Sequence, residues 1–317
     1  MSGAAFALIG VPFDGWGRPG AQASAPAALR AAGLAGAFGG AVDVQADPVL
    51  PAPMPERAAG SGLINESALL GMIDDVHARV SAALAGGRFP FVYGADCTVL
   101  LGCVPALRDA AGRAGLVFVD GHEDATSLDA SPDGEAANME VGLLLGLSER
   151  RAPAALLRRL PALEGDALAL LGVRDEAWRE QLGVASLATR GISVHGERAV
   201  AAAAAQTGRA AAELVARSAR DWWLHVDVDV LAQAELASSR VPGDEGAPGG
   251  LTWAELHATV AAALAVTGCR GWSVSIYDPD QDPGGGDARR IVQLVRDLSP
   301  LLQQRTPPRG GMRPPAN

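Results

Sequence analysis

The sequence predicts an α/β protein built as one sandwich around a mostly parallel sheet of about eight strands. Three observations carry that expectation. Short β-rich runs alternate with longer helical stretches along the whole chain. Several of the runs are almost continuously apolar, as parallel strands covered on both faces must be. Two acidic clusters stand directly after such runs and lead into loops, which is where open α/β sheets carry their sites.

In chain order, a strand at 5–11 is followed by a helix at 25–35 and a strand at 41–45. The Pro- and Gly-rich stretch 47–62 is a loop. It enters a helix at 66–85, for which Asn65 offers a cap. A strand at 89–93, a helix at 99–111 and a strand at 116–120 come next, the last ending in the first acidic cluster. Ser131-Pro132-Asp133-Gly134 marks the following loop, before a helix at 135–147. Strands at 167–173 and 192–195, a helix at 199–217 and a strand at 222–229 bring in the second cluster. After the loop 232–250, Thr252 caps a helix at 253–266, and a strand at 272–277, a loop at 277–286 and a helix at 287–303 complete the pattern. With no internal repeat and no long linker, residues 1–305 read as a single domain. Residues 306–317, rich in Pro and Gly, read as a disordered tail.

The 317 residues are 49% hydrophobic with few aromatics, so the core is expected to be layers of small aliphatic side chains. A formal charge of −10 without any basic run argues against nucleic acid and anionic membranes as partners. The chain contains no lysine; all 26 basic residues are arginine. That removes Schiff-base chemistry, a pyridoxal-phosphate lysine and a lysine-bearing phosphate loop. Three scattered cysteines in a long chain do not suggest a disulfide framework. The N-terminal apolar stretch lacks a basic flank and reads as a strand rather than a signal peptide. No apolar run approaches a membrane span. The expectation is a cytoplasmic protein.

The acidic clusters are Asp120-Gly121-His122-Glu123-Asp124 and His225-Val226-Asp227-Val228-Asp229. In extended chain every second side chain shares a face, so Asp120, His122 and Asp124 would line one side, and His225, Asp227 and Asp229 another. Buried carboxylates in that number need compensation. Divalent cations supply it, and two ions about 3.5–4 Å apart suit a pair of bridging acids. Oxygen-rich ligation with some imidazole suits Mn, with Mg, Zn, Fe, Co or Ni as alternatives. Gly284-Gly285-Gly286 is a loop and no phosphate cradle, because no strand–Gly-rich–helix unit surrounds it.

These stretches resemble the ureohydrolase family of arginases, agmatinases and formiminoglutamases over essentially the whole chain. Leu8-Ile9-Gly10-Val11-Pro12-Phe13-Asp14 is similar to the family's opening strand and loop, and Gly94-Ala95-Asp96-Cys97-Thr98 stands where the family has Gly-Gly-Asp-His-Ser. Asp120-Gly121-His122-Glu123-Asp124 resembles Asp-Ala-His-x-Asp, and Asp227-Val228-Asp229 resembles the last metal motif. The resemblance implies a three-layer α/β/α sandwich. It also implies two divalent ions on Cys97, Asp120, His122, Asp124, Asp227 and Asp229, with Asp124 and Asp227 bridging, and a hydroxide held between the ions. It further implies a small-molecule amidine or guanidine substrate, and it allows a homo-oligomer.

Five departures limit the carry-over. Cys97 replaces a ligating histidine and can act as a thiolate or as a small buried residue. Glu140 stands where the family often has an acid/base histidine, and can be a proton-transfer group or a surface glutamate. Ile276 replaces a glutamate that holds the substrate guanidinium; Asp278, two residues on, is the candidate substitute. Ala177 replaces an acid used near the substrate amino group. His225 stands where a small polar residue is usual, and is expected to orient ligands rather than to ligate. The expected activity is hydrolysis of a C–N bond in a linear amidine or guanidino compound. Alternatives are a binding or regulatory protein on the same fold, or hydrolysis of another C–N bond.

Overall fold

Eight strands pair in parallel into one sheet: β1 (Phe6–Val11), β2 (Val42–Val44), β3 (Phe89–Gly94), β4 (Gly115–Val119), β5 (Leu168–Val173), β6 (Ser193–Gly196), β7 (Trp222–Asp227) and β8 (Cys269–Ser275). The computed structural model describes residues 5–147, 151–239 and 248–303. The tail expected to be disordered lies outside them, as does part of the loop 232–250. The strand order is β2-β1-β3-β8-β7-β4-β5-β6, and every neighbouring pair is parallel. All eight predicted strands are present. The last two in sequence lie in the middle of the sheet, between β3 and β4.

The apolar runs divide between two faces with the strand period of two. In β4, Val117 and Val119 join one core while Leu116 and Phe118 join the other. The first core is closed by α1 (Ala25–Ala31) with residues of later helices described below. The second is closed by α2 (Glu66–Ala85), α3 (Leu100–Ala111), α4 (Glu140–Leu144) and α5 (Ala154–Leu157). A short α6 (Glu176–Gln181) caps the end of β5. Then α7 (Glu197–Ala202), α8 (Ala204–Ser218), α9 (Trp253–Leu264) and α10 (Gly286–Gln303) return to the first face. This is the three-layer sandwich. Trp222, Trp223 and Trp272 are fully buried in it. No helix of the described residues is long and apolar enough to cross a membrane.

Several expected helices change at identifiable residues. The helix expected at 25–35 stops at Ala31, because Gly33 turns at φ 92 into a short 3-10 segment, Leu34–Phe38. The one expected at 199–217 breaks at Ala203, whose φ of −150 separates α7 from α8. Most of 135–147 is not α-helical, since Met139 at φ −144 delays the start to Glu140. Asn65 does not cap α2. It sits at φ 51, accepts from Met54 N at 3.1 Å and donates to the Asp14 carbonyl at 2.8 Å, tying two loops together. Thr252 does cap α9, in a reciprocal box with Glu255. Helices α8 and α9 meet backbone to backbone: a Cβ on Gly208 would lie 2.1 Å from the Thr259 carbonyl oxygen.

Candidate metal centre

The four central strands β3, β8, β7 and β4 end side by side, and at or within three residues of each end stands an aspartate that folds back on its own chain. Asp96 Oδ1 accepts from Thr98 N at 3.0 Å, Asp120 Oδ1 from His122 N at 2.7 Å, Asp227 Oδ1 from Asp229 N at 2.7 Å and Asp278 Oδ1 from Asp280 N at 2.9 Å. A side-chain oxygen that caps the N–H two residues on makes a tight turn. So β4 ends at Val119 and β7 at Asp227, earlier than the extended reading of both clusters required. Asp124 itself sits at φ 45. The turns, not the strand alternation, bring the acidic side chains together.

The two clusters do meet. His122 Nδ1 lies 3.1 Å from Asp229 Oδ2 and 3.4 Å from Asp120 Oδ1, and Gly121 N donates to Asp229 Oδ1 at 3.2 Å. Three sets of donor atoms lie within 4.8 Å of one another: Asp120, His122 and Asp229; Cys97, Asp120 and His225; and Cys97, Asp124 and Glu140. Asp120 therefore belongs to two sets, as does Cys97. Asp227 reaches the second set through Cys97 Sγ, which donates to Asp227 Oδ2 at 2.8 Å. Every one of the six expected ligands is in this cluster.

Glu140 is not a surface glutamate. It is fully buried, neither carboxyl oxygen accepts a hydrogen bond, and it faces Asp124 and Cys97 without lining the cavity. Asp278 is buried too, but its oxygens are taken by Asp280 N and by Gln281 Nε2, at 2.9 Å each, and it does not line the cavity either. His225 stacks on Phe118 at 5.2 Å, with Nδ1 2.7 Å from Ser273 Oγ and Nε2 3.1 Å from Cys97 Sγ.

The electrostatics test whether cations fit. Burial, and then the neighbouring Asp229, raises Asp120 to about 7. Burial is also the largest cause that raises Asp124, Asp227 and Glu140 well above the usual carboxylate range. Cys97 is pushed up by burial and by Asp227. Against burial, Asp229 is lowered, because His122 and Arg174 lie beside it. A cluster of carboxyls this reluctant to ionise, with Glu140 left without a donor, is what a divalent pair would compensate. The donor set fits the ions that the resemblance implies.

The cluster floors a cavity of about 430 Å³. Trp16, Trp178, Ala177 and Ile276 give it apolar walls, and Arg174, Asp133 and Glu135 give it charge. Ile276 is 4% exposed and sits at φ 70, a backbone conformation costly for a β-branched residue. Its N–H donates to the carbonyl of Ala95, itself at φ 58, at 3.0 Å. Behind the first cluster, buried Glu123 accepts from Ser186 Oγ and Leu187 N at 2.6 Å each, and pairs with Arg179 at 3.2 Å. Arg179 also binds Asp175 at 2.8 Å, and Asp175 accepts from Glu123 N at 3.0 Å. This network fixes the loop that carries Asp120, His122 and Asp124. Its one sequence signal was the Asp175–Arg179 spacing of four on a short helix.

A model of the arginase family matches residues 4–299. The arginase of Eremothecium gossypii is 32% identical over 119 residues, 38% of this chain and 29% of the relative. The chain covers less than half the length of the first curated relatives it matches. Among solved structures, the arginase of Bacillus caldovelox superposes with a TM-score of 0.81 at 23% identity, over 93% of this chain and 98% of that one. The formimidoylglutamase of Bacillus subtilis does so with a TM-score of 0.71 at 17% identity, over 95% and 89% of the two chains. At these identities the structural likeness carries the fold alone.

Proposed function

The chain belongs to the arginase family, and we propose that it is a hydrolase of C–N bonds that works with two divalent ions at the C-terminal ends of β3, β4 and β7. The single observation that carries this reading is Asp120, whose carboxylate is common to two adjoining sets of donor atoms. When bound, such ions activate water and polarise the bond to be broken. The oxygen-rich set of Asp120, His122 and Asp229 suits Mn.

The remaining chemistry falls to this chain's own residues. The turns at Asp120 and Asp227 hold the ligands rigid, and the Glu123–Arg179 network holds their loop. Glu140 sits behind Asp124, so it serves the ligand set rather than the substrate. Among the charged groups lining the cavity outside the proposed ligands, the buried carboxyls are Asp175, tied to Arg179 and to Glu123 N, and Glu135. Burial, then Asp96 and Asp133, hold Glu135 protonated above the usual range. It is the group that carries a proton to the departing amine.

The walls argue for a substrate unlike arginine. Ile276 offers no carboxylate to a guanidinium, and Asp278 is committed to its turn. A buried cation without a partner is costly. Ala177 offers no anchor for an α-amino group. The reading is a smaller or less polar amidine, amide or related C–N compound held against Trp16 and Trp178. Metal analysis of purified protein, followed by ammonia- and urea-release assays over a panel of guanidines, amidines and amides, tests it. Two ions per chain and turnover of a non-arginine substrate are expected. Efficient hydrolysis of L-arginine would refute the substrate reading. An inert protein with full metal occupancy would favour a binding or regulatory role.

A further inference from the structure

We propose that His225 is itself a metal ligand, and that Cys97, Asp120 and His225 form a sulfur–nitrogen–oxygen site for a zinc-like ion beside the oxygen-rich site at Asp120, His122 and Asp229. This rests on the two-ion reading above and deepens it: the two positions are chemically unequal and take different metals.

The geometry supports it atom by atom. In tetrahedral zinc sites, sulfur at about 2.3 Å and nitrogen or oxygen at about 2.0–2.1 Å lie some 3.5 Å from one another. Here Cys97 Sγ is 3.1 Å from His225 Nε2 and 3.7 Å from Asp120 Oδ2. Asp227 Oδ2, 2.8 Å from the same sulfur, offers a fourth donor. All of these side chains are buried.

The imidazole is held as ligating imidazoles are held. A ligating histidine hands its other ring N–H to an oxygen, which fixes the tautomer and aims the lone pair. Ser273 Oγ, 2.7 Å from His225 Nδ1, is that oxygen. Trp223 Nε1 donates to the same oxygen at 2.9 Å, which fixes the hydroxyl in turn. The Phe118 ring, inclined only 12° to the imidazole, sets its plane. With Nδ1–H given to Ser273, the Nε2 lone pair faces Cys97 and Asp120. Thiolate with imidazole selects Zn or Co over Mn, whereas carboxylates select the reverse.

The test is cobalt titration of chelator-stripped protein, read by absorption and by metal counting, with Cys97→Ser, His225→Gln and His225→Asn variants beside the wild type. The wild type should bind two Co(II) per chain and show a sulfur-to-cobalt charge-transfer band. Cys97→Ser should abolish the band. Both His225 variants should bind one of the two ions at least about tenfold more weakly and show an altered ligand-field spectrum. The ion they keep at the oxygen-rich site reports that they remain folded. Exposed to zinc with excess manganese, the wild type should retain one zinc per chain. Two cobalt ions without a sulfur band, or with His225 variants indistinguishable from wild type, would overturn this inference and leave the two-ion reading standing. A folded wild type that binds no cobalt would overturn both.

Discussion

Glu140 and Asp124 turn two buried carboxyl groups towards each other, and both are held well above the usual carboxylate range, first by burial. Without an ion, that arrangement opposes folding. Glu140→Gln removes one acid and supplies an amide N–H, so the metal-stripped variant should melt higher, by on the order of 1–3 kcal/mol. The same change should weaken metal binding by about 10–100-fold. Thermal melts in chelator and metal titrations check the two halves, and a stripped variant that melts lower would count against the account. The clustered residues were legible because Asp-x-His-x-Asp and Asp-x-Asp are dense in chemistry. Alternation along a strand is not what gathers them: Asp120 and Asp227 each cap the N–H two residues on and turn the chain. That Asp120 falls into two donor sets was not legible, because it depends on how β3, β4 and β7 are set side by side. Ile276 at φ 70 could not be read from sequence at all, since an isoleucine there resembles the end of an ordinary apolar strand.

At the level of elements, the strands were legible to within a few residues because a strand buried on both faces has little choice but to be apolar. Helices α5 and α6 were not legible; with four and six residues they are too short for a periodic signal. The break at Ala203 was hidden inside a run of alanines that favours helix on both sides. The contact between α8 and α9 gives a direct test. Gly208→Ala ordinarily favours a helix by about 0.8–1 kcal/mol. Here the new methyl meets the Thr259 carbonyl oxygen, a backbone atom, at 2.1 Å. Overpacking should win, with a net loss of about 1–3 kcal/mol in denaturant unfolding. A variant as stable as wild type would mean that the two helices can move apart freely.

For the molecule as a whole, the buried acids make stability without metal depend on pH in a definite direction. Asp120, raised to about 7, contributes stability that is complete only below the unfolded carboxylate values, and Asp124, Asp227 and Glu140, also raised, act in the same sense. That contribution is lost as pH rises through the folded values. His122, raised above 6.5, acts in the same sense. His225, lowered to about 3 by burial, acts oppositely, but its effect is confined below 6.5. From pH 6.5 to about 8.5, the melting temperature of stripped protein should therefore fall, by about 2–4 °C for each kcal/mol lost. Saturating divalent metal, which needs deprotonated ligands, should abolish or reverse the fall. A melting temperature in chelator that stays flat or rises over this range would contradict the assignment. The sheet order bears on how the chain is made. Residues 5–196 can form only two half-sheets, β2-β1-β3 and β4-β5-β6, each with a bare inner edge. β7 and β8 emerge last from the ribosome and close that gap, and they alone bring Asp227, Asp229 and His225 to Cys97 and Asp120. A growing chain thus carries a split sheet and half a ligand set, prone to stick to other strands. On the two-ion reading, acquisition of the ions becomes a late event, coupled to insertion of the final strand pair rather than to early collapse.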